Sequence, residues 1–158
     1  MQSHAYEASM ARVSLYVEGA RILRTLGAGA YGRVVLARDP RGAGLERSVD
    51  LALKVPRSGG GTRKQILWEA VCLRKVAHAH VIKLFDVRAS TPGGEEDPDD
   101  LPTLVFPPAD VDLATFLDRM PRGGLPIALA RRMMGQFAAA LAHVHSHGII
   151  HRDVKPGG

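Results

Sequence analysis

Apolar residues along this chain recur at two spacings, and the change between them divides it. From Tyr16 they sit in short runs broken by turn residues. "YVEGARILRTLGAG" reads as a strand ending in glycines, "YGRVVLARD" is short and β-branched, and "SVDLALKV" alternates. Three such runs predict an antiparallel meander. "PRSGGG" is a flexible break, and "TRKQILWEAVCLRKV" then places Ile66, Ala70, Leu73 and Val76 at helical spacing, with Thr62 as N-cap. "VIKLFDV" and "LPTLVF" predict two further strands, separated by the acidic, Gly/Pro-containing loop "STPGGEEDPDD". After Phe106 the spacing becomes helical. "PPADVDL" is a linker, "DLATFLDRM" a brief helix, and 126–147 a longer one. Leu129, Met133, Phe137, Leu141 and Val144 form the stripe of that longer helix, and Gly148 is its C-cap. Residues 1–15 are polar and mixed and are expected to be disordered. The pattern is five strands with one inserted helix, a linker, then helices, without internal repeats.

Composition narrows the function classes. The 158 residues allow one domain or a large part of one, and 46% hydrophobic content supports a core. Net charge is +5, mostly from arginines that are scattered and so read as a solvated surface. Aromatic residues make up only 5%, too few for a nucleic-acid stacking platform. Cys72 is the sole cysteine, which rules out an intramolecular disulfide and reads as a small core residue. No apolar run approaches the roughly 20 residues that cross a bilayer. "MQSHAYEASMARV" lacks the basic-then-apolar order of a signal peptide. A cytoplasmic and nuclear location is expected, with no membrane partner.

Two internal stretches carry candidate chemistry. "GAGAYGRV" fits G-x-G-x-x-G-x-V, in which glycines let backbone amides approach phosphates closely. Predicted strands flank it on both sides, so it is not the strand–turn–helix of a dinucleotide fold, and no Gly-Lys-Ser/Thr follows to make a Walker loop. In "LALK", Lys54 lies within an apolar strand and needs a counter-charge; Glu69 on the inserted helix is the best candidate, against simple snorkelling to solvent. "HAH" at 78–80 is conceivable as a metal site.

Together with "HRD" at 151–153, these stretches, in this order, resemble the eukaryotic protein kinases over about residues 16–158. "GAGAYGRVVLARDP", "LFDV", "TLVFPPADVDL" and "HRDVKP" resemble the cyclin-dependent kinases, particularly the branch partnered by D-type cyclins. The resemblance implies an α+β fold: a kinase-like N-lobe, with a five-stranded antiparallel sheet and one inserted helix, then the first helices of an incomplete, mainly helical C-lobe. It implies an N-lobe over 16–106, a hinge over 107–112 and the start of the C-lobe over 113–158. ATP is the implied cofactor. Gly27, Gly29 and Gly32 would cover its phosphates, and Lys54, tethered by Glu69, would hold the α- and β-phosphates. Val34 and Ala52 would cap the adenine, Phe106 would be the gatekeeper, and Asp112 would sit near the ribose. At the hinge, Pro107, Pro108 and Ala109 can still bond the base, because only the Pro107 carbonyl and the Ala109 N–H and carbonyl are needed. Asp153 would accept the proton of a protein hydroxyl, and Lys155 would contact the γ-phosphate. Tyr31 matches a site of inhibitory phosphorylation, with a packing role as the alternative.

Departures from the family shape the remaining expectations. H-R-D-x-x-x-x-N places a magnesium-binding asparagine where this chain has Gly158, and no Asp-Phe-Gly follows. Mg²⁺ is thus expected for the family while its protein ligands are absent here. The chain is accordingly expected to be truncated within the catalytic loop, to be inactive alone, and to leave an apolar face of the 126–147 helix uncovered. "RKQILWE" replaces the signature that meets a cyclin, keeping Glu69 but placing Trp68 where an arginine is usual. Trp68 reads equally as an interface anchor or a core residue. The functional readings are an ATP-dependent Ser/Thr kinase of the cyclin-dependent type, active on protein substrate in a longer form; a non-catalytic module or decoy for a cyclin or a small kinase-inhibitor protein; or a non-functional fragment.

Overall fold

The computed structural model describes residues 20–29, 32–39, 49–56, 63–88, 101–121 and 124–157. The elements are β1 (Arg21–Gly29), β2 (Gly32–Asp39), β3 (Val49–Pro56), α1 (Arg63–Lys75), β4 (Asp86–Arg88), β5 (Thr103–Phe106), α2 (Leu113–Asp118) and α3 (Ile127–Ser146). Thr62, the expected N-cap, and Tyr31 lie outside the described residues, as do residues 1–15 and the acidic loop. The chain forms two compact units, one of residues 1–71 and 84–108, the other of 72–83 and 109–158.

The first unit is built on one antiparallel five-stranded sheet, order β1-β2-β3-β5-β4. Successive strand residues point to opposite faces, and directly paired residues share a face. Val35 pairs with Leu53, and Leu53 with Val105. These three, with Ala20, Ala37 and Leu51, form the buried core on one face. The alternate positions define the other face: Val34 opposite Lys54 opposite Leu104, and Leu36 opposite Ala52 opposite Phe106. A two-residue period therefore sends core residues one way and the candidate residues Val34, Ala52, Lys54 and Phe106 the other. The buried Asp39 carboxylate is paired with Arg88 Nη2 at 3.0 Å, which meets the requirement that a buried charge be partnered.

β4 is shorter than expected. "VIKLFDV" has strand-like composition, but only Asp86–Arg88 form a strand. The cause is its partner, since β5 has four residues, beginning after Pro102, which has no N–H to donate. Pairing starts with the Phe85 amide on the Val105 carbonyl at 2.8 Å, and the Val81 amide instead closes a turn on His78.

In the second unit, α2 is capped by Asp112, which accepts from the Thr115 amide at 2.8 Å and the Thr115 hydroxyl at 2.6 Å. α3 ends in a Schellman motif, with Gly148 at φ 72°, its amide on the His145 carbonyl and the Ile149 amide on Val144. Glycine at 148 meets the left-handed conformation without a Cβ penalty. Of the expected stripe, Met133, Leu141 and Val144 are half-buried, whereas Leu129 and Phe137 are exposed. Cys72 is half-buried, a departure from the core position expected for it. Among the described residues, no helix is long and apolar enough to cross a membrane.

Candidate active site

In the first unit, the glycine-rich turn joins β1 to β2, with Gly27 paired to Val34 and Gly29 to Gly32. A Cβ at Gly27 or Gly29 would meet nothing within 4 Å, so the space beside this backbone is open. Open space beside a glycine backbone is what a phosphate-covering loop requires. Gly32 has φ 143°, a conformation that side-chain-bearing residues rarely adopt. Ladder irregularities fall between Ile22 and Arg24 and between Thr25 and Gly27, and bend β1 just before the turn.

Lys54 Nζ contacts both oxygens of Glu69, at 2.7 and 2.8 Å. The helical position of Glu69 and the non-core face of β3 bring them together. Each side chain keeps over a third of its surface exposed, 36% and 39%. A pair this open contributes about 1 kcal/mol or less to stability. Its consequence is positional: a flexible ammonium is held at one place on the sheet face. The ammonium is thus paired with Glu69 while part of the lysine side chain still reaches solvent. Phe106 is buried at the end of β5 opposite Ala52, followed by half-buried Pro107 and exposed Pro108.

In the second unit, exposed Ala109 and Asp112 precede α2. The Thr115 hydroxyl and then its amide hold the Asp112 carboxyl below the usual aspartate range. A carboxylate has about four acceptor sites, so two accepted bonds leave capacity for a further donor. Asp153 Oδ2 receives Lys155 Nζ at 2.8 Å. That hydrogen bond, then the Lys155 charge, lowers the Asp153 proton affinity. The Asp153 amide donates to His151 Nδ1 at 3.3 Å, so that nitrogen carries no proton. Arg152 between them has φ 62°, the sole non-glycine positive φ among the described residues. Such a conformation costs on the order of 1–3 kcal/mol and aims the flanking side chains.

Lys54 and Glu69 were legible from charge and apolar context. Thr115 as the anchor of Asp112 was missed, although an aspartate just before a helical run is an N-cap signal. The Pro156 carbonyl, which accepts the Ala114 amide at 3.0 Å and ties the stretch after Asp153 to the first turn of α2, had no signal in sequence. Trp68 is 65% exposed and so is not a core residue.

Residues 20–157 match the model of the protein kinase domain. Cyclin-dependent kinase 4 of Mus musculus is 38% identical over 140 residues, covering 83% of this chain and 44% of that protein. Cyclin-dependent kinase 4 of Xenopus laevis is 36% identical over 137 residues, covering 83% and 40%. The carbon catabolite-derepressing protein kinase of Candida albicans is 32% identical over 136 residues, covering 86% and 20%. The chain thus spans less than half the length of these relatives. A sheet with an open glycine turn, an anchored strand lysine and an Asp153–Lys155 pair, matched over 20–157, leads to one assignment: the chain belongs to the protein kinase domain family, in its cyclin-dependent kinase branch.

Proposed function

We propose that this chain is the nucleotide-holding portion of an ATP-dependent protein serine/threonine kinase of the cyclin-dependent type. The observation that carries this is the two-point Lys54–Glu69 contact on the sheet face that also bears Val34, Ala52 and Phe106. In this reading Lys54 fixes the α- and β-phosphates, and Glu69 keeps it from reorienting. Amides near Gly27 and Gly29 approach the phosphates. The Pro107 carbonyl and the Ala109 N–H bond the base, and Asp112 sits near the ribose. Asp153, kept ionised by Lys155, accepts the proton of the attacking hydroxyl.

The family uses magnesium to bridge phosphate oxygens and offset their charge. Gly158 has no side chain to coordinate it, and among the described residues no group of three or more His, Cys, Asp or Glu is arranged to hold a metal ion. No step is derived through the ion. The test is calorimetric titration with ATP, with and without Mg²⁺, on the wild type and Lys54→Met. Binding in the wild type, weakened about tenfold or more in Lys54→Met, is expected from loss of a charge-assisted contact. Equal affinity in both would overturn the reading.

A second reading is non-catalytic capture of a D-type cyclin or a kinase-inhibitor protein, in the cytoplasm or nucleus. It is favoured by Leu67, Trp68 and Val71, neighbours on α1 that are all exposed. Purified cyclin should co-elute with the wild type and not with Trp68→Ala. Co-elution with neither would remove it.

A further inference from the structure

The second unit holds a histidine cluster that the proposed kinase chemistry does not use. The rings of His78 and His143 stack with centroids 5.0 Å apart, and those of His143 and His147 lie at 4.5 Å. His80 adds an edge contact to His78 at 5.4 Å. Two elements meet here, the 76–83 loop after α1 and the C-terminal end of α3. His143 Nε2 is buried and has no hydrogen-bond partner.

The hydrogen bonds define the neutral arrangement. His78 Nδ1 accepts the His80 amide at 3.1 Å, so it carries no proton. His147 Nδ1 lies 2.8 Å from the His143 carbonyl, to which it donates. The rings packed against His143 are His78 from the loop and His147 from its own helix end; His80 stands against His78, and Lys75 Nζ from α1 bonds the His147 carbonyl at 3.2 Å. None is acidic, so a proton on this stack has no counter-charge among them. It would place a cation about 5 Å from a second imidazole, with a fixed ammonium nearby.

We propose that His143, packed between the rings of His78 and His147, is the trigger of a pH-sensitive latch that holds the end of α3 to the 76–83 loop, closed when the His143 ring is neutral and released on its protonation. Burial, then the neighbouring His147 and His78, lowers the proton affinity of His143, in keeping with this geometry. The sign follows. A folded value below the unfolded one means that the unfolded chain binds more protons, so stability falls as pH drops below the ordinary histidine value of about 6.5.

The test is an NMR titration of the histidine rings of the full 158-residue chain, with thermal melts from pH 7.5 to 5.5 of the wild type and His143→Phe. The latch predicts a His143 midpoint below about 6.5. It also predicts a melting temperature that falls across this range in the wild type and much less in His143→Phe. A midpoint at or above the ordinary value, which an unfolded chain would also give, overturns the proposal. So does the same pH slope in both proteins.

Discussion

The two units bury apolar side chains to very different depths. In the sheet unit, Val35, Leu51, Leu53, Leu104 and Val105 are each almost wholly out of solvent. In the helical unit, Ala140 is the one buried residue of α3, while Ile127 is 69% and Met134 61% exposed. The contrast follows from geometry. A strand in the middle of a sheet has neighbours on both sides, so an alternating pattern closes much of its own core. A helix presents a cylinder, and its stripe is buried only where another layer lies against it.

The largest effect that would sharpen this contrast is at the sheet. Leu53→Ala should cost about 2–5 kcal/mol, as a large-to-small change in a close-packed core. Denaturant unfolding checks it, and a cost near zero would mean that the sheet core is not consolidated. Gly32→Ala should follow at on the order of 1–3 kcal/mol, because φ 143° strains any residue with a Cβ. Asp112 should matter locally. Its lowered proton affinity means that its capping contribution is present above the ordinary aspartate value and lost as pH falls through the folded one. The Thr115 amide resonance should therefore titrate below the usual aspartate range, and Asp112→Asn, which still caps, should remove that titration. Met134→Ala should be the mildest, within about 0.5 kcal/mol, since an exposed side chain leaves no cavity. A large loss there would break the contrast.

Legibility from sequence followed the same division. Alternation in "SVDLALKV" marked a two-faced strand, whereas "RVVLA" is an apolar run that does not choose a face; the register of β2, β3 and β5 decides which residues share one, because a one-residue slip would reverse them. The Lys54–Glu69 pair was legible because an ammonium in an apolar strand demands a partner. β4 was not, because its length is set by β5 rather than by its own residues. The α3 stripe was only half informative: Phe137 belongs to it by spacing yet stays exposed, since periodicity names a face without saying what covers it. The left-handed Arg152 and the Ala114–Pro156 bond arise from tertiary placement, which no local pattern encodes.

The most direct test of the nucleotide-holding role is hydrogen exchange of the 158-residue chain with and without ATP, compared with Lys54→Met. The account predicts ATP-dependent protection of amides over 27–34 and 52–54 in the wild type, and its loss in Lys54→Met. No protection in the wild type, or the same protection in both, would contradict it.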